Sequence, residues 1–183
     1  MIMEQVQHIH TLGEVREALR QVFEEVAAFS EQASDTRYLM RSDGKWSMAE
    51  NLQHLILSGK PVARGLQLPK LAFMAFGTST TESRSYETLV HDYRALLQQG
   101  ARATGAYVPD PPEKLPAREG QLAEWRKTGQ LFQKNLAKWS EKDLDKYRMP
   151  HPLLGKLTVR EMLFFTIYHS WHHLEACKRF RTL

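Results

Sequence analysis

A single cysteine, Cys177, stands in 183 residues. It excludes an intrachain disulfide framework and suits a reducing compartment, so a cytoplasmic location is expected. No apolar run approaches the roughly 20 residues that a membrane-spanning helix needs, and no membrane partner is expected. The opening MIMEQVQHIH has neither the charged n-region nor the apolar h-region of a signal peptide. Period-two alternation is also missing over any useful length, which leaves no convincing strand. Basic clusters are absent too: 25 Lys and Arg are spread among 21 acids, and no basic run carries interleaved aromatics. A net charge of +4 is then weak ground for nucleic-acid binding, which is not expected. There is no internal repeat and no low-complexity tail.

What remains is helical periodicity in a chain near the common size of one domain, so residues 1–183 read as a single domain. Residues Leu12 to about Ala33 place Val15, Leu19, Val22, Val26 and Phe29 at three- and four-residue spacings. Ser47 with Glu50 makes an S-x-x-E start signal, and a helix from about Met48 to Leu66 follows, with Pro61 as a point of kinking or early termination. Pro69 to Thr81 reads as a connection that packs down, and Tyr86 to Ala103 as a weaker helix. The prolines between Thr104 and Pro116 exclude regular helix there. A further helix runs from about Glu119 to Trp139, and Ser140 with Asp143 can start one more turn. The fold class expected is all-α, a four-helix bundle with an additional short helix and loops.

The most informative stretch is Thr158 to Phe180, TVREMLFFTIYHSWHHLEACKRF. Thr158 and Glu161 form another capping signal, and nothing breaks the helix that follows. At about 100° per residue, His169 and His173 share a face with Met162, Phe165, Ala176 and Phe180. Two imidazoles one turn apart on the most apolar face of a helix need partners, and a metal ion chelated at i and i+4 is one such partner. Backbone and water hydrogen bonds are another. His172 lies about 60° from His169 on the other side, so spacing alone does not choose between His172 and His173. His54, in the second long helix, falls about 120° off its apolar seam, on a flank beside Asn51 and Ser58.

The combination of Gly44-Lys45-Trp46-Ser47, Glu50 and His54-Leu55 with the later His151-Pro152, Gly155-Lys156-Leu157-Thr158 and His169-x-x-His172-His173 resembles the DinB/YfiT-like superfamily. The resemblance runs from about Lys45 to the end, with a loose match between Pro69 and Pro116. It implies a bundle with up-down-down-up connections and a metal site made of His54, His169 and His173, with His172 as a neighbour. Relatives often carry Gln where this chain has Ala176, three residues after the last histidine, so whatever that Gln does is vacant here or done by another residue.

Three neutral imidazoles leave a position open on an ion, as in catalytic zinc sites. The resemblance, whose members include thiol transferases and a mycothiol-dependent isomerase, thus implies a divalent-metal-dependent hydrolase or thiol S-transferase. Zinc or nickel is the expected ion, with iron or manganese as alternatives. The expected partner is a small-molecule substrate, a low-molecular-weight thiol among the choices, and relatives are often homodimers. Glu50 and His172 are the general acid–base candidates beside the ligands; Glu50 also reads as a cap carboxylate. Trp46 and Trp171 read as core or rim packing, Cys177 as a small core residue, and Tyr168 as pointing away. A non-catalytic helical binding module, with a structural metal or none, is the alternative function.

Overall fold

The computed structural model describes residues 9–41 and 44–179. The expectations placed on the N-terminal residues 1–8 and on Phe180 lie outside the described residues. Seven α-helices and one β-hairpin follow in order: α1 (Leu12–Gln32), α2 (Asp35–Leu39), α3 (Met48–Gly65), α4 (Tyr86–Gln98), α5 (Arg118–Leu136), α6 (Glu141–Lys146), β1 (Arg148–His151), β2 (Gly155–Thr158) and α7 (Val159–Lys178). The four long helices form the bundle: α1 and α3 each pack on both α5 and α7. Among the described residues no helix is long and apolar enough to cross a membrane.

Capping boxes start α1, α3, α6 and α7, at Thr11, Ser47, Ser140 and Thr158. In each, hydroxyl and carboxylate reciprocally satisfy backbone N–H groups that the helix start leaves free. Pro61 does not end α3, which continues to Gly65. The periodic apolar stripes become the core, with Val15, Leu19, Val22, Leu52, Phe132, Leu163 and Ile167 almost fully buried. Indole nitrogens fasten the bundle: Trp125 Nε1 donates to the Phe23 carbonyl at 2.9 Å, and Trp139 Nε1 to that of Leu66 at 3.2 Å.

Three features depart from the sequence reading. A two-stranded antiparallel hairpin exists where no strand was expected, with Met149 opposite Leu157 and His151 opposite Gly155. Each strand has only four residues, one of them Pro150, so no alternation could register. Gly155, at φ +74°, supplies the left-handed conformation that the return requires. The weak helix stops at Gln98, because Gly100 at φ +94° leaves the helical region. Between Ala33 and Met48, where no helix was read, the chain folds one short helix, α2, capped by Ser34. The connection from Pro69 does pack down, as a 3₁₀ turn over Lys70–Phe76 that buries Phe73.

The remaining elements hold α4 against α7. Arg84 bonds Glu161 and Asp92, and Ser83 bonds the Thr158 hydroxyl at 2.7 Å. Tyr86 and Tyr93 then meet Phe164 and Phe165 edge-on, at 5.7 and 5.0 Å between ring centres. This lays Tyr93 beside the histidine face of α7.

Candidate metal centre

His54 comes from α3, and His169 and His173 from successive turns of α7. His54 is buried although its wheel position is on a flank, because α3 touches two neighbours and that flank faces α7. The Nε2 atoms of His54 and His173 stand 3.0 and 3.1 Å from His169 Nε2. One ligand nitrogen from each of the three rings lies within 4.8 Å of the other two.

The far side of two rings decides their tautomers. His54 Nδ1 is 2.6 Å from the Tyr107 carbonyl, which can only accept. His173 Nδ1 is 2.6 Å from Asn51 Oδ1, and Asn51 Nδ2 already donates to the carbonyls of Trp46 and Ser47, so this oxygen is the acceptor. Both rings therefore carry their proton on Nδ1, and both Nε2 atoms present bare lone pairs to His169. Its Nε2 can donate to one of them at most. Protonation is no remedy: burial pushes the pKa of His54 down, and those of His169 and His173 well down, with mutual repulsion adding for the latter two. Converging lone pairs with at most one proton among them are the arrangement that a cation's coordination set requires. Nitrogens about 2.0–2.1 Å from one tetrahedral zinc would be roughly 3.3 Å apart, within a few tenths of the two separations from His169 Nε2. The residues fit a divalent ion.

Neighbouring side chains fix the rings further. Phe165 stacks on His169 at 4.8 Å and Trp46 lies 5.0 Å from His54, each between ring centres. Among the described residues no carboxylate or thiol joins the three nitrogens. Beside them opens a cavity of about 840 Å³, lined by all three histidines. Leu68, Phe73 and Phe76 reach it from one long connection, Thr104 and Tyr107 from the other.

The other sequence candidates separate clearly. His172 is half-buried, lines the cavity and stands 5.3 Å from the His173 ring, outside the nitrogen cluster. Glu50 is fully buried and turned to structure: it caps α3 through the Ser47 N–H and pairs with both Arg41 nitrogens that face it. Burial would raise its pKa, but the Arg41 and Ser47 bonds outweigh that and hold it low, so it stays a carboxylate away from the cavity. Cys177 is buried, its thiol pushed up to about 12 by burial, and it does not reach the cavity. Trp46 lines the cavity mouth, Trp171 is buried, and Ala176 lines the cavity.

Sequence reasoning missed Asn51 and the Tyr107 carbonyl. Asn51 sits one turn before His54, a position that hinted at shared surroundings; a backbone oxygen 53 residues from its partner left no trace. His151 was visible only as part of a motif. It is buried, its Nδ1 accepts from the backbone N–H groups of Leu153 and Leu154 at 3.2 and 3.0 Å, and its ring meets Phe165 at 4.2 Å. Its proton therefore sits on Nε2.

A sequence model described as DinB superfamily matches residues 11–177. No curated protein matches the chain. A solved structure described as TT2238, a four-helix bundle protein, superimposes with a TM-score of 0.57 at 18% identity, over 92% of this chain and 98% of that one. At that identity the likeness speaks for the fold alone.

Proposed function

The chain belongs to the DinB superfamily, and from that footing we propose that it is a divalent-metal-dependent enzyme, a hydrolase or a thiol S-transferase, with His54, His169 and His173 holding the ion. The observation that carries this reading is the meeting of three Nε2 atoms, two of them with bare lone pairs of which His169 can satisfy at most one. The cavity beside them favours catalysis over a closed structural site, since a reactant has room next to the cluster.

When bound, a zinc- or nickel-type ion held by neutral ligands keeps its full charge and acidifies a water or thiol beside it. The chain's own residues do the rest. Asn51 and the Tyr107 carbonyl hold two rings in one tautomer and orientation. Phe165, Tyr93 and Trp46 keep bulk water from the imidazole edges. His172, half-buried on the cavity wall and held neutral chiefly by burial, can take a proton from a nucleophile entering there. His151 presents Nε2–H as a donor for a substrate oxygen.

The test compares the intact protein with His169→Ala, both metal-loaded, on ester, amide and thiol-plus-electrophile panels. Turnover should appear in the intact protein and fall by at least about a hundredfold in the variant or after chelation. Turnover that survives both changes would remove the metal from the chemistry. No turnover, together with retention of a specific macromolecular partner, would replace this reading by a binding module.

A further inference from the structure

The charged groups on the cavity wall are of one sign. Among the described residues Lys45, Arg102 and Arg179 line it, and no aspartate or glutamate does. All three are exposed at the mouth, and among the described residues no ion pair engages any of them. Arg102 bonds only backbone carbonyls, those of Leu97 and Ala101. Two carboxylates near them in sequence are already occupied, Glu50 by Arg41 and Glu175 by Lys178. Elsewhere on this molecule surface cations pair with acids, as Arg20, Arg118 and Arg126 do. Here they face a space whose other walls are largely aromatic and aliphatic, Trp46, Leu97, Phe76 and Phe165 among them.

Such a chamber selects by two independent terms. Apolar walls favour any apolar body in proportion to the area covered, whatever its charge. Unpaired cations at a mouth with low-dielectric walls favour an anion and disfavour a cation. The C-terminal end of α7 opposes an anion, but with about half a charge against three full ones. Arg179 lies six residues past His173, about 9 Å along the helix axis from the imidazole cluster.

We propose that the cavity takes a small organic anion with an apolar body, its carboxylate or sulfonate at Lys45, Arg102 and Arg179 and its body against Trp46, Leu97 and Phe165. The end remote from the charge then reaches toward the imidazole cluster. This names the substrate class of the enzyme proposed above and rests on that reading for the reaction, but the binding itself needs no metal.

The experiment uses metal-free protein, so that an anionic probe cannot ligate an ion. An anilinonaphthalene sulfonate and its uncharged parent, N-phenyl-1-naphthylamine, are titrated by fluorescence at low salt. The variant carries Lys45→Gln, Arg102→Gln and Arg179→Gln, and its thermal midpoint and near-ultraviolet dichroism establish that it is folded. The sulfonate should bind the variant about tenfold more weakly than the intact protein, and the neutral dye within about twofold of it. Raised salt should shrink the difference, because exposed charges are screened within about 10 Å. Arg102→Gln alone serves if the triple variant is unstable, with a two- to threefold loss expected. Equal loss of both dyes, or no loss of either, would overturn the proposal. Zinc uptake is measured on the same two proteins and should not differ. Failure of zinc uptake with charge discrimination intact would sink the metal reading and support this one.

Discussion

At the scale of single residues, Asn51 serves two purposes with one amide. Its Nδ2 ties down the carbonyls of Trp46 and Ser47 where the chain enters α3, and its Oδ1 holds the His173 ring. Asn51→Ala should therefore lose about 1–3 kcal/mol of stability and weaken zinc binding about ten- to a hundredfold. Competition against a chromophoric chelator measures the second effect; unchanged affinity would deny Asn51 its part in orienting the ring. His151 makes a pH prediction. A proton on Nδ1 would break two backbone bonds and charge a buried ring, and burial pushes its pKa down to about 4. The folded value lies below the unfolded one of about 6.5, so between them the unfolded chain binds more protons and stability rises with pH. Its contribution is present above about pH 6.5 and is lost as pH falls toward 4, on the order of 3 kcal/mol in full. Denaturant titrations should show a shallower acid loss for His151→Gln than for the native chain, and parallel curves would refute this account.

At the scale of elements, α5 carries two glycines whose replacement should act in opposite directions. A Cβ on Gly129 would stand 2.8 Å from Phe23 Cδ1, and Phe23 is itself stacked on Trp125 at 3.9 Å. The ring has nowhere to go, so overpacking of about 1–3 kcal/mol should outweigh the helix-propensity gain of about 1 kcal/mol. On Gly120 a Cβ meets only Pro116 at 3.8 Å, an ordinary contact, and there the propensity gain should prevail. Gly129→Ala should thus lower the thermal midpoint while Gly120→Ala leaves it unchanged or raises it; a rise in both would mean that α1 and α5 are less tightly opposed than they stand here.

At the scale of the whole molecule, the cluster joins α3, α7 and the connection at Tyr107, so an ion there would cross-link parts of the chain that otherwise meet only by packing. Saturating zinc should raise the midpoint, with about 4 kcal/mol gained at a thousandfold excess over the dissociation constant. The acid limit of that gain is shifted. Free imidazole would begin to lose metal below about pH 6.5, but burial holds His54 below its ordinary value and His169 and His173 well below theirs. Protons therefore compete poorly in the folded state, and the zinc-induced rise should persist well below pH 6.5. Midpoints with and without zinc across mildly acid pH are the check, and a rise that has vanished near pH 6 would contradict the burial argument.

Local rules were enough for the long helices. Apolar spacing and the hydroxyl–carboxylate pairs at Ser47–Glu50 and Thr158–Glu161 place α3 and α7 from the sequence to within a residue or two, because both signals act over one turn. The same period puts His169 and His173 on one face. Tertiary structure decided everything that depends on a second partner. His54 turned inward because α3 is flanked by both α5 and α7, which no single-helix wheel can express. His173 and not His172 meets His169, since only one side of α7 faces α3. The hairpin formed because two four-residue strands too short to stand alone could pair across Gly155 and dock on α7. The tautomers that turn three Nε2 atoms to one point were set by Asn51 and by a carbonyl 53 residues from His54, contacts that exist only once the chain has closed on itself.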